Sequence, residues 1–448
     1  MRLHRYAINA VLLAMSILAI FPQLLLSQIP TNFGNWQLPK TPQTPGFEPR
    51  FEDIYFLNER LGWAVNLSGY LYRTTDGGDS WSASKIEVGS IPPALRSITF
   101  LDSLRGIIGT YGSSNPILHT TDGGATWYGV NNFLGTKPQG GICGLWKVNN
   151  QVVYGSGVYT GHPTVVKTTD GGFTWEGIDM SSYATGLVDC WFSTPDSGFV
   201  VGNINGNIQV GQAIILFTAD GGKTWQERHQ TTRKGEQGWK IFFRTPMEGY
   251  VAVQSLGVEK YYLSTTDGGL TWQEHHYATV SPPTSFGPQG MIFMSAVEGW
   301  IGGWGNQVWH TTDGGKQWER IEFPTAINFN RWRRVNDTLA FAAGAVIYRY
   351  THSSTTSIRS LQLAVPPTTL HLHPNPASSI LYAHLEGLPN TADDVRILNL
   401  AGQVVKIVTA PANGMKVAIS VADLPTGSYV AQINQGRLKM QRMFVVVR

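Results

Sequence analysis

Short apolar stretches, each closed by a polar turn, run through most of the chain. One phrase recurs. Ile54-Tyr55-Phe56-Leu57 is followed by Gly62-Trp63-Ala64-Val65, and Ile98-Thr99-Phe100-Leu101 by Gly106-Ile107-Ile108-Gly109. Trp191-Phe192 precedes Gly198-Phe199-Val200-Val201, Ile241-Phe242-Phe243 precedes Gly249-Tyr250-Val251, and Ile292-Phe293-Met294 precedes Gly299-Trp300-Ile301. Apolar runs of this length, bounded by turns such as Ser68-Gly69 and Gly305-Asn306, predict strands joined in hairpins.

Downstream of each phrase lies a turn of near-constant sequence, Thr75-Asp76-Gly77-Gly78-Asp79-Ser80-Trp81 being the first. Its aspartate recurs as Asp122, Asp170, Asp220, Asp267 and Asp313, at spacings of 46, 48, 50, 47 and 46 residues. The aspartate can accept bonds from N–H groups ahead of it, and the glycine pair supplies positive φ for the reversal. The tryptophan then packs its face onto the sheet. The six aspartates are therefore read as structural. No turn has the acidic ligands at its third and fifth positions that a calcium loop needs, and no metal site is expected.

Each unit supplies four strands, and a period near 47 residues built this way describes propeller blades. After the sixth turn the phrase starts again at Trp332-Arg333-Arg334-Val335, runs through Leu339–Ala342 and Val346–Arg349, and ends without an aspartate turn. The expected fold is all-β: a seven-bladed β-propeller over residues 28–350, its last blade completed by a strand from Phe33–Phe47. Six blades with a capping unit is the alternative.

The two ends differ from this pattern. Residues 1–27 open with Arg2 and Arg5 and continue apolar to Ser27, as an export signal peptide does; a membrane anchor is the alternative. Residues 351–367 read as a linker. From 368 to 448 a new alternation, broken at Pro374-Asn375-Pro376 and Pro425-Thr426-Gly427, predicts a small C-terminal β-sandwich.

Composition narrows the function. Of 448 residues 42% are hydrophobic and only 14% charged, with 50 Gly and 15 Trp, which excludes a disordered chain or a helical bundle. A net charge of +3 gives no footprint for nucleic acid. The two cysteines, Cys143 and Cys190, fall near the same point of adjacent repeats, so either a bridge or two buried thiols is open. No cofactor motif occurs.

The aspartate turns are those of Asp-box (BNR) repeats, and their combination with the Gly-Trp phrase resembles the Ycf48 family of photosystem II assembly and stability factors. The resemblance covers roughly residues 50–350 and implies a seven-bladed propeller; sialidases, xyloglucanases and sortilin-type receptors also carry such boxes. Pro374-Asn375-Pro376-Ala377, Val395-x-Ile397-x-Asn399 with Gly402, and Leu424-x-x-Gly427-x-Tyr429-Val430 ahead of a last apolar strand resemble the type A sorting domain of the type IX (Por) secretion system. That implies a bacterium of the Bacteroidetes lineage, passage through the periplasm and outer membrane, and a product released or held at the cell surface. The type IX machinery is then one partner.

The mature chain is expected to bind a protein or a glycan through one end of the propeller channel. Residues at the starts of the inner strands supply the candidates: Arg50, Arg96, Trp239, Arg331, Trp332 and Arg333, with Trp146, Trp191, Lys240 and Arg334 beside them. Guanidinium groups beside indoles suit a carboxylate or an acidic glycan. Alanine at Arg331 and Arg333 is expected to weaken a partner without changing the melting temperature. A glycoside hydrolase, sialidase-like or xyloglucanase-like, is the alternative, with Asp53, Asp189 and Glu236 as its available carboxylates. Arg244-Thr245-Pro246 is the nearest match to a sialidase motif, no arginine clamp accompanies it, and no catalytic residue is assigned.

Overall fold

The computed structural model describes residues 32–33, 35–40, 50–89, 92–159, 161–281, 287–304, 308–323, 328–352, 369–386, 394–399, 403–409, 416–435 and 438–447. The predicted signal segment 1–27 lies outside them, as does most of the predicted linker. Among the described residues every regular element is a strand, and no helix is long and apolar enough to cross a membrane.

The described residues between 32 and 351 form seven sheets in chain order, antiparallel but for one strand pair. Their innermost strands are Phe51–Phe56, Ala94–Phe100, Gly144–Lys147, Gly186–Phe192, Glu236–Phe243, Pro288–Phe293 and Arg331–Arg334. Six sheets are built from consecutive strands; the third gains Phe133–Gly135, laid parallel to its outermost strand Trp175–Asp179. The seventh takes its outer strands from the other end of the chain, with Trp36 opposite Tyr350 and Gln37 opposite Arg349. Trp36 is fully buried there, edge-on to Trp300, Trp332 and Tyr350.

Packing explains the glycine of the recurring phrase. A Cβ on Gly62, Gly106, Gly198, Gly249 or Gly299 would stand 2.2–2.7 Å from the ring of Phe56, Phe100, Phe192, Phe243 or Phe293, respectively. The glycine lets the phenylalanine that closes the innermost strand lie across its neighbour. That ring then stacks on the preceding sheet: Phe100 on Trp63 at 3.5 Å, Phe192 on Tyr154 at 3.5 Å, Phe293 on Tyr250 at 4.4 Å. Phe56 of the first sheet stacks in the same way on Phe341 of the last, at 4.0 Å. Phe51, Ile54, Phe56, Phe341, Ala343 and Ile347 share one core between those two sheets.

All six aspartate turns have one geometry. Both glycines have positive φ in every copy, 78° and 91° at Gly77 and Gly78. Asp122 accepts from the Thr126 N–H at 2.9 Å and from the Thr126 hydroxyl at 2.5 Å. A threonine two residues earlier completes the turn: Thr120 Oγ1 donates to Asp122 at 2.7 Å and accepts from the Gly124 N–H at 3.1 Å. Equivalent threonines stand at 74, 168, 218, 265 and 311. Four of the six tryptophans donate Nε1–H to the second glycine's carbonyl, as Trp175 does to Gly172 at 3.0 Å.

These bonds favour the carboxylate. The Thr126 hydroxyl, then its N–H, holds Asp122 down at about 2, and Asp220 is held at about 2 by Thr224 in the same way. An unfolded aspartate titrates near 3.9. The turns' support is therefore complete above about pH 4 and is lost as pH falls toward 2. Near-ultraviolet dichroism of the box tryptophans is expected to collapse over that interval; a spectrum unchanged at pH 2 would contradict it.

The tail forms two sheets. One contains Thr369–His373, Ile380–Glu386 and Lys416–Ser420; the other contains Val404–Val408, Val395–Asn399, Gly427–Gln435 and Leu438–Val446. Leu381, Ile419, Ile397, Ala431 and Phe444, drawn from both, meet in one apolar core.

Candidate functional site

Five innermost strands carry a β-bulge at the same point. Their registers slip at Glu52, Arg96, Val188, Trp239 and Gln289, each four residues before the closing phenylalanine. A bulge opposes two residues to one partner, so consecutive side chains turn toward the same side. The pairs Glu52-Asp53, Arg96-Ser97, Val188-Asp189, Trp239-Lys240 and Gln289-Gly290 thus reach the centre together, where groups from different sheets meet. Of the first members, Glu52, Arg96, Trp239 and Gln289 build one polar layer while Val188 is apolar; of the second, Asp53, Asp189 and Lys240 build another.

The first layer is organised by Glu52, which is fully buried. Its carboxylate accepts from Arg50 Nε and Nη2, from Arg96 Nη1, and from Asn330 Nδ2 at 3.1 Å. Burial raises its pKa, but Arg96 and Arg50 more than offset this and hold it below the usual range. Arg50 also donates to Gln289 Oε1 at 3.1 Å and lies over the Trp304 ring at 4.4 Å. Trp239 donates to Asn330 Oδ1 at 2.9 Å. Above this layer opens a cavity of about 210 Å³, walled by Trp239, Trp304, Tyr111, Tyr159 and three glutamines, Gln237, Gln254 and Gln289. Two guanidinium groups face one carboxylate, so its floor is net positive. The buried Nε2 of Gln237 has no hydrogen-bond partner.

The second layer is an ion network around Arg331, which is 6% exposed. Arg331 Nε donates to Asp53 at 2.9 Å, and its two terminal nitrogens clamp Asp189 at 2.9 and 3.2 Å. Asp53 also accepts from the Ile98 N–H at 3.0 Å and from Arg333 at 3.4 Å. Burial opposes ionisation of Asp53, and Arg331 then Arg333 reverse that and lower its pKa. Lys240, 5% exposed, has no hydrogen-bond partner among the described residues. Burial, reinforced by Arg331, pushes its pKa down to about 7. A second cavity of about 130 Å³ opens here, lined by Lys240, Trp332, Arg333 and Arg334 among others.

The residues singled out from sequence therefore divide. Arg50, Arg96 and Trp239 line the larger cavity; Arg331, Trp332 and Arg333 line the smaller one, and the two share no lining residue. The guanidinium of Arg331 is taken up within the protein, so the expectation that its loss leaves the melting temperature unchanged is replaced by a structural role. Trp146 lines the smaller cavity and donates to the Phe192 carbonyl at 2.8 Å, whereas Trp191 stacks on Phe243 at 4.0 Å between sheets. Of the hydrolytic carboxylates, Asp53 and Asp189 accept from Arg331, and Glu236 accepts from Arg233 at 2.6 and 3.1 Å. Arg244 pairs with Glu248. Cys143 and Cys190 are two free buried thiols. Counted back from the end of its innermost strand, Cys143 stands four places before Lys147 and Cys190 two places before Phe192, so the repeats do not place them level.

Sequence reading missed Glu52, Gln237, Gln254, Gln289 and Asn330. A usable signal is present: the position four before each closing phenylalanine, read down the repeats, gives Glu52, Arg96, Val188, Trp239 and Gln289, of which all but Val188 reach the polar centre.

The model of the family described as photosynthesis system II assembly factor YCF48 matches residues 34–175 and 237–328, and that of the secretion system C-terminal sorting domain matches residues 371–447. No curated protein matches the chain. Among solved structures, YCF48 bound to D1 peptide is 20% identical with a TM-score of 0.54, covering 72% of this chain and 98% of that one. YCF48 from Cyanidioschyzon merolae is 17% identical with a TM-score of 0.54, covering 71% and 99%. The GH74 xyloglucanase from Xanthomonas campestris is 12% identical with a TM-score of 0.51, covering 78% of this chain and 59% of its own. These likenesses establish a β-propeller fold. The tail is a sorting domain of proteins sent by the type IX system to the cell surface or outside.

Proposed function

Because the chain belongs to the YCF48 photosynthesis system II assembly factor family, we propose that it is an extracytoplasmic peptide-binding propeller, holding a carboxylate-bearing segment of a partner protein. Residues 1–27 are its removable signal peptide, 28–350 seven blades closed by the Trp36 strand, 351–367 a linker, and 368–448 a β-sandwich that addresses the protein for export. The pairing of Trp36 with Tyr350 and the core shared by first and last sheets support closure.

One observation carries the binding reading: the larger cavity joins a net-positive floor of Arg50, Glu52 and Arg96 to aromatic walls and an unpartnered Gln237 amide. A carboxylate complements the charge, and a peptide's amides complement the three glutamines. That a related propeller is described as bound to a peptide supports this class of ligand. The three carboxylates a hydrolase would need all accept from arginine, and the binding reading is preferred.

A peptide library offered to the mature protein with free and with amidated C-termini tests the proposal. Free-carboxylate or acidic peptides are expected to be retained, and Arg50→Gln to weaken them about tenfold, as loss of one charged hydrogen bond does. Equal retention of amidated neutral peptides, or none at all, would refute it.

A further inference from the structure

The smaller cavity has a donor surplus that nothing among the described residues satisfies. Lys240 and Trp332 both line it, both are more than nine-tenths buried, and neither Lys240 Nζ nor Trp332 Nε1 has a hydrogen-bond partner. Arg334 Nε, on the same wall, is likewise unpartnered. Leaving such donors buried without acceptors costs on the order of 1–3 kcal/mol each, more where the donor is charged. The nearby acceptors are already engaged: Asp53 by Arg331, Arg333 and two N–H groups, Asp189 by both terminal nitrogens of Arg331. Local backbone shape keeps the indole edge clear. A Cβ on Gly290, also on the wall, would stand 2.5 Å from Trp332 Cδ1 and 3.2 Å from its Nε1.

We propose that this cavity is a second site, separate from the peptide-binding one, that takes a compact oxyanion between Lys240, Trp332 and the arginines of the Arg331–Arg334 strand. The sign of the ligand follows from three guanidinium groups and an amine set against two buried carboxylates and the exposed Asp337 that pairs with Arg334. Its size follows from the volume of about 130 Å³, room for on the order of four waters. A phosphate, a sulfate or a short carboxylate shares the needed chemistry: several acceptor oxygens around one negative centre. The site requires no residue of the larger cavity, so it stands or falls apart from the peptide reading.

The test is thermal unfolding of the full chain titrated with phosphate, sulfate or malonate at constant ionic strength, with chloride as the reference. The wild type is expected to gain a saturable rise in melting temperature from at least one of the three, and the best of them identifies the source chemistry. Lys240→Met is expected to abolish that rise. Trp332→Phe, which keeps the ring and removes only the N–H, is expected to weaken half-saturation at least threefold, and it decides the matter should Lys240→Met fail to fold. General stabilisation by sulfate is common to all variants and cancels in the comparison. Arg50→Gln should retain the full rise. A wild type that gains no more than chloride gives, or a Trp332→Phe protein that saturates as the wild type does, would overturn the site.

Discussion

Replacing Arg331 with methionine is expected to lower the free energy of unfolding by about 3–5 kcal/mol, the loss usual when one partner of a buried ion cluster is removed. Methionine fills much of the volume but supplies no donor. Asp53 and Asp189 would then remain buried, the first relying on Arg333 and two N–H groups, the second on a single N–H from Ile241 at 3.3 Å. Either they protonate or water enters the centre, and both outcomes are unfavourable at neutral pH. Denaturant titration of the mature protein reads the effect directly. The triple variant Arg331→Met, Asp53→Asn, Asp189→Asn should recover most of the loss, because a neutral set carries no uncompensated charge. A single variant within about 1 kcal/mol of the wild type would mean that the clamp contributes little.

Removing residues 371–447 is expected to abolish delivery to the cell surface while leaving the rest of the protein folded. The apolar core of the tail is composed of tail residues alone, and none of them belongs to the cores between the seven sheets. The deletion therefore withdraws the export address without opening a cavity in the propeller. Fractionation of cells in which the protein is naturally exported, followed by melting of the retained species, checks both halves. Undiminished surface protein would defeat the first, and a retained species with no cooperative melt would defeat the second. Fusing residues 368–448 behind an unrelated exported domain should carry that domain outward.

Much of this architecture can be read in the sequence because it repeats. The Asp-Gly-Gly turns, the glycine that faces a phenylalanine and the strand following each tryptophan recur six times or nearly so, and local chemistry accounts for each. Even the threonine two residues ahead of each aspartate, obscured because Ala219 breaks the visible Thr-Thr pair, is present in all six copies. The central site is less legible for a definite reason. Alternation along a strand assigns every second side chain to one face, and a bulge breaks that rule at the very residues that matter. Glu52 and Asp53 are neighbours that serve different layers, as are Trp239 and Lys240. Placement at the starts of the inner strands gathers Arg50, Arg96, Arg331 and Arg333 at one mouth; the structure divides them between two cavities. The same reading draws Trp191 toward the mouth, whereas it stacks on Phe243 between sheets; Trp146 does reach the smaller cavity.

The union of Trp36 with Tyr350, 314 positions apart, also orders events in biosynthesis. The segment that leaves the ribosome early has no strand to join until nearly the whole propeller has been made. Until then the last sheet lacks its outer strands and Trp36 its aromatic enclosure. A polypeptide wired in this manner cannot complete its last sheet until residues from both ends of the propeller are available to pair.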